Sequence, residues 1–139
     1  MDDIFTTLID EIFQLNGALL AAGDRIAATS GLSAARWQVL GRVADAPASV
    51  ASIARGRGLR RQSVQETVAR LERAGLVVRS PNPADLRAPL VAITDAGEAA
   101  LARIEPVRSA WAASTPSAIP RAELEAALKT LQRLQRLIE

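Results

Sequence analysis

The chain has 139 residues, 49% hydrophobic and 23% charged, a balance that suits one folded domain with a sizeable core and leaves little room for a second. It contains no Cys and no His, which excludes disulfides, Cys/His metal sites, thiol switches, Ser-His-Asp triads and Cys-His pairs. Gly56-Arg57-Gly58 is too short for a phosphate-binding loop and lacks its Lys, so no enzyme chemistry, metal or cofactor is expected.

The net charge of +2 conceals an uneven distribution. Residues 1–48 carry −3, residues 88–139 balance, and residues 49–87 carry +5 from eight Arg against Glu66, Glu72 and Asp85. A compact basic middle suits a polyanion, because each neutralised phosphate releases condensed counterions. A solvated arginine-rich face is the plainer reading of charge alone. The longest uncharged runs, residues 12–23 and 109–120, are interrupted by polar residues, which predicts no membrane span. Met1-Asp2-Asp3 is acidic where a secretory signal would be basic, and a cytoplasmic protein is expected.

Along residues 4–28, Phe5, Leu8, Ile9, Ile12, Phe13, Leu19, Leu20, Ile26 and Ala27 recur mostly at intervals of three and four, which predicts one long amphipathic helix capped by Asp2 or Asp3. Ser33 is placed to cap a second helix, residues 34 to about 43, with Trp37 and Leu40 inward. Ser49 opens a short helix over residues 50–57, limited by Gly56 and Gly58. The next helix starts near Arg60, buries Val64, Val68 and Leu71, and stops at Gly75. Its opposite side carries Gln62, Glu66, Ala69 and Arg73, flanked by Ser63, Gln65 and Arg70. Two short helices joined by a tight Gly-containing turn, the second polar and basic outside, describe a helix-turn-helix whose second helix enters a major groove.

Residues 76–80 and 90–94 are β-branched runs around a polar, Pro-rich connection, which predicts a hairpin with a long tip, a candidate wing. Thr94 is placed to cap a helix through Gly97, Ala100, Leu101 and Ile104, kinked at Pro106. A last helix from about Pro120 repeats Leu124, Leu128, Leu131, Leu134 and Ile138 at intervals of four and three, which invites a partner helix. The first and last helices are more apolar than a thin monomer needs, so a two-fold dimer is expected, an intrachain bundle being the alternative. The fold class is mainly α with a small β-hairpin wing. Residues 33–94 form the helix-turn-helix lobe, and residues 1–30 and 95–139 form a helical dimerisation region.

Asp85-Leu86-Arg87, followed by Leu90-Val91-Ala92-Ile93-Thr94 and Asp95-Ala96-Gly97, is similar to the D-x-R wing and L-x-L-T-x-x-G pattern of the MarR family of bacterial winged-helix regulators. Gln62-Ser63-Val64 and Leu71-Glu72-Arg73-Ala74-Gly75-Leu76-Val77 resemble that family's recognition helix and the start of its wing, and the likeness covers nearly the whole chain. The resemblance implies a homodimer on a pseudo-palindromic operator, with repression relieved by a small aromatic or lipophilic effector. Arg60 and Pro120 depart from the small or Ser residues that often begin the corresponding helices.

On this reading Gln62, Ser63, Gln65 and Arg70 face base edges or nearby phosphates, and Arg60 and Arg61 hold phosphate. Glu66 either accepts from cytosine or pairs with Arg70, and Arg73 completes the outer face. Arg87 is the wing residue expected in the minor groove, with Asp85 orienting it through a charge-assisted bond, shaping the turn, or doing both with its two oxygens. Arg79 and Asn82 add phosphate contacts. The family's effector pocket corresponds here to Phe13, Asn16, Leu20, Trp37 and Leu40, although Phe13 and Trp37 also read as plain core. A ligand-independent activator or architectural protein, or a helical adaptor without DNA binding, are the alternatives.

Overall fold

The computed structural model describes residues 3–139, in the order α1 (Ile4–Ala27), a short 3-10 turn (Ala28–Ser30), α2 (Ala34–Asp45), β1 (Ala48–Ser49), α3 (Val50–Arg57), α4 (Arg61–Arg73), β2 (Val77–Ser80), β3 (Leu90–Ile93), α5 (Asp95–Ser114) and α6 (Arg121–Ile138). The chain divides into two compact units, Met1–Pro106 and Val107–Glu139, with the boundary inside α5 at its one proline.

The core of the first unit draws on every one of its helices and strands. Leu40, Ile53, Leu71 and Ile104 are fully buried, joined by Val39, Val43, Val64, Val68, Val77 and Val91. No polar or charged residue is buried among those described. The predicted stripe of α4 is therefore the face that packs inward, leaving its polar side outside.

Capping follows the sequence closely. Asp3 Oδ1 accepts from Phe5 N at 3.0 Å and caps α1, whereas Asp2 lies outside the described residues. Ser33 Oγ accepts from Arg36 N at 3.2 Å, and Ser49 Oγ from Ser52 N at 3.2 Å, satisfying first-turn donors of α2 and α3. Asp24, from α1, adds a second acceptor for α2 by taking Ala34 N at 2.7 Å. The two helices cross so closely there that a Cβ on Gly23 would stand 2.9 Å from Ala34 Cβ.

Glycines in the left-handed region flank α4, Gly58 (φ 63°) before it and Gly75 (φ 76°) after it. Leu59 N donates to Ala54 O at 2.8 Å and Leu76 N to Leu71 O at 2.9 Å, so each glycine closes the helix before it with a 6→1 bond and returns the next leucine to the core.

Three expectations are corrected. The predicted two-stranded hairpin is a three-stranded antiparallel sheet of order β1-β3-β2, because Ala48 and Ser49 pair with Val91 and Leu90 on the free edge of β3. Two residues are too short to leave a period-2 signature. The second helix runs to Asp45 rather than about Val43, the extended backbone of Ala46 ending it. Residues 4–30 are, by length and composition, apolar enough to cross a membrane, contrary to expectation. They contain Asp10, Glu11, Asp24 and Arg25, and at their C-terminal end Ile26 and Ala27 belong to the core of the folded unit.

Thr94 joins the sheet to α5. Its Oγ donates to Gly75 O at 2.7 Å and accepts from Gly97 N at 3.1 Å, while its own N–H donates to Leu76 O at 3.0 Å. Gly97 is needed for this junction, since a Cβ there would stand 2.3 Å from Leu76 O and 2.6 Å from Ile93 Cγ1.

In the second unit, α6 buries no residue, and Leu124, Leu128 and Leu131 are 40%, 56% and 46% exposed. In the first unit α1 likewise exposes Phe5, Phe13, Leu15 and Leu19.

Candidate nucleic-acid interface

With Val64, Val68 and Leu71 turned inward, Gln62, Glu66 and Arg73 form the outer crest of α4, and a cleft lies on either side of it. The larger cleft, about 410 Å³, is bounded by Arg61, Gln62 and Gln65 of α4, Val50 and Ala51 at the start of α3, and Arg79, Arg87, Ala88 and Pro89 of the wing. Three guanidinium groups and two carboxamides thus share one open, unburied site. No carboxylate lines it, so its field is positive, which suits an anion with several oxygen atoms.

The wing hairpin is built by its own polar residues. Asn82 Oδ1 accepts from Ala84 N at 3.1 Å and Asn82 Nδ2 donates to Ala88 O at 3.0 Å, pinning the two sides of the tip together. Asp85 N donates to Asn82 O and Ala88 N to Asp85 O, both at 3.1 Å, so two turns follow each other. Asp85 Oδ1 accepts from the backbone N–H of Arg87 at 3.0 Å. Of the two readings of Asp85, the structure has the turn; no ion pair joins it to the Arg87 side chain. Asn82, expected on phosphate, has its carboxamide engaged in closing the wing.

Arg79 is held from α4. Its Nε lies 3.4 Å from Glu72 Oε1 and its Nη1 donates to Gln65 Oε1 at 3.5 Å. Glu72 was not among the residues expected at the site. It is separated from Arg79 by the Gly75 turn, and no helical or strand periodicity links two residues across such a turn.

The smaller cleft, about 260 Å³, lies between the start of α2 and the other flank of α4, bounded by Ser33, Ala35, Arg36, Glu66, Thr67 and Arg70. Glu66 and Arg70 both line it, yet the i,i+4 ion pair expected between them is not formed. Ser63 is exposed on α4, and Arg60, at its start, offers no side-chain cap. The site residues named from sequence therefore divide into Arg61, Gln62, Gln65, Arg79 and Arg87 around one cleft, Glu66 and Arg70 around the other, and Arg60, Ser63 and Arg73 on exposed surface beside them.

The residues named for an effector do not line either cleft. Leu40 has no exposed surface and Trp37 packs half-buried against the core, whereas Phe13, Asn16 and Leu20 stand exposed along α1.

A family model described as MarR family matches residues 30–88, which contain α2, α3, α4, β2 and the wing tip. The uncharacterized protein Rv2011c of Mycobacterium tuberculosis is 32% identical over 134 residues, 96% of this chain and 94% of that protein. Among solved structures, Sco5413, a MarR family transcriptional regulator from Streptomyces coelicolor, is 25% identical with a TM-score of 0.80, covering 99% of this chain and 96% of that one. CouR from Rhodococcus jostii, solved bound to p-coumaroyl-CoA, is 26% identical with a TM-score of 0.71 over 96% of this chain and 92% of its own. The CouR repressor bound to a 23-mer DNA duplex aligns at 24% identity and a TM-score of 0.78, over 90% and 89% of the two chains.

Proposed function

The chain belongs to the MarR family of winged helix-turn-helix, DNA-binding transcription regulators, and from that premise we propose that it acts as a homodimeric repressor on a pseudo-palindromic operator, in the cytoplasm. The observation that carries the DNA side of this reading is the acid-free cleft of Arg61, Arg79 and Arg87 between α4 and the wing. A phosphate strand lying along it meets Arg61 and Arg79, while the crest of α4 enters the major groove with Gln62 and Gln65, and Arg87 reaches the adjacent minor groove. Arg60 and Arg73 add phosphate contacts at the two ends of the helix, and Ser63 and Arg70 serve its far flank.

The dimer reading rests on the exposed apolar side chains of α1 and α6, which a lone chain would leave in water at about 25 cal/mol per Å². Two copies place two recognition helices on successive major grooves, about 34 Å apart. Release by a small aromatic or lipophilic effector is supported by CouR, whose structure holds p-coumaroyl-CoA. In this chain Phe13, Asn16 and Leu20 on α1, with Trp37 beside the core, are the side chains to test for it.

The test is a titration of the purified protein against DNA from upstream of its own gene, with a scrambled duplex as control, at several salt concentrations. The expected result is preference for the native duplex, one dimer per site, and an affinity that falls steeply with salt. Arg61→Ala is expected to flatten that salt dependence by about one phosphate while leaving the preference intact. Equal affinity for both duplexes overturns the reading.

A further inference from the structure

Arg61 and Arg70 stand nine residues apart on α4, which at about 100° per residue sets them about 180° apart around the helix axis. Each belongs to a different cleft, Arg61 to the one shared with the wing and Arg70 to the one shared with the start of α2. A helix with its side chains is about 10–12 Å across and a major groove about 12 Å wide, so a helix seated there has one sugar-phosphate strand along each flank. The wing cleft accounts for one strand, and the smaller cleft lies along the flank of the other.

That smaller cleft carries the groups a phosphate needs. Arg36 lines it from α2, half-buried, its Nε donating to Ser33 Oγ at 3.3 Å. Arg70 lines it from α4, and among the described residues neither guanidinium is paired with a carboxylate. Glu66 lines it too, so two positive charges face one negative, and the single positive charge left over matches one phosphodiester. The first amides of α2 add little, because Ala34 N already donates to Asp24 and Arg36 N to Ser33.

We propose that this cleft is a second DNA-backbone site, in which Arg36 and Arg70 hold a phosphate of the strand opposite the one that runs between α4 and the wing. The inference rests on the proposed seating of α4 in the major groove, and it adds α2 to the elements that touch DNA. A recognition helix gripped from both walls of the groove cannot roll about its axis, which fixes the side chains it turns to the base edges.

The experiment is ethylation interference on the duplex from upstream of the gene, each strand labelled in turn, with wild type, Arg36→Ala, Arg70→Gln and Arg61→Ala. For wild type, blocked phosphates are expected to interfere on both strands, facing each other across one major groove in each half-site. Arg36→Ala and Arg70→Gln should each weaken the interference on one and the same strand and lower the salt slope by about one, and Arg61→Ala should do so on the other strand. Arg36→Ala leaves the backbone bond from residue 36 to Ser33 in place and Arg70 makes no side-chain bond within the fold, so the melting temperature should hardly change in either. Interference confined to one strand in wild type, an unchanged strand pattern in Arg36→Ala, or loss on the same strand from Arg36→Ala and Arg61→Ala overturns the inference and leaves the DNA-binding reading standing. Equal affinity of wild type for native and scrambled duplexes overturns both.

Discussion

Arg79 and Arg87 face the same cleft but are held by opposite means. Arg79 has its guanidinium fixed by Glu72 and Gln65, whereas Arg87 has its backbone fixed by the Asp85 turn and its side chain directed to no carboxylate among the described residues. A group already positioned but not neutralised gives most of its charge to an incoming phosphate or groove. Arg87→Ala is therefore expected to weaken operator binding by more than about tenfold at unchanged thermal stability, measured by titration of the labelled duplex. Asp85→Asn, which keeps the turn-forming oxygen, should bind nearly as wild type, while Asp85→Ala should behave like a loosened wing and lose affinity. Equal losses in both Asp85 variants would show that its charge, not its turn, matters. At this scale the sequence was informative where residue type carries the message. The run of arginines and Asp85-Leu86-Arg87 mark the basic cleft and wing without a structure. Glu72 was invisible because its contact with Arg79 is a distance across a turn, and the hairpin-closing bonds of Asn82 were invisible because a surface Asn that closes a hairpin looks the same in sequence as one that only binds phosphate.

The elements were legible wherever a cap and a period agree. Ser33, Ser49, Gly58, Gly75 and Thr94 all stand at the boundaries that their chemistry predicts. What escaped is β1, whose two residues carry no pattern and whose strand character comes entirely from the edge of β3. The junction at Thr94 gives the strongest stability prediction. A Cβ on Gly97 must displace Leu76 O, which is backbone and cannot turn aside, so Gly97→Ala should cost about 1–3 kcal/mol and lower the melting temperature by several degrees in a thermal unfolding experiment. Thr94→Val, nearly the same shape without the hydroxyl donor and acceptor, should cost about 1 kcal/mol. At the other end of the unit, the Thr6 hydroxyl and the Thr6 and Phe5 backbone N–H groups hold the Asp3 carboxyl below its ordinary value of 3.8. A depressed folded-state pKa favours folding above the ordinary value, and that contribution disappears as pH falls through the depressed one. The cap on the first turn of α1 should accordingly weaken as pH falls below the ordinary carboxylate range, seen as loss of amide protection at Phe5, and Asp3→Asn should remove that pH dependence.

For the molecule as a whole, the proposed dimer would cover the exposed leucines of α6 and the exposed apolar residues of α1 with a second copy of the chain. Leu128→Glu with Leu131→Glu is expected to shift the protein to monomer in sedimentation equilibrium and to reduce operator affinity much more than half-site affinity. A double variant that stays dimeric would show that α6 is not in the interface. Heptad-like spacing made this face visible in sequence, but spacing cannot tell an intrachain partner from a copy, and the oligomeric state of the double variant is the measurement that does.

The Thr94 hydroxyl gives the fold a mechanical property. One side chain grips the Gly75 carbonyl just past α4 and the Gly97 amide in the first turn of α5, with Gly97 seated directly on the next carbonyl. There is no slack linker between the two helices at that point: they share a joint. A rotation of α5 would be felt at the end of α4 through this hydroxyl, beside the Ser30–Ala100 bond and the buried Ala100 and Ile104 that also tie α5 to the unit.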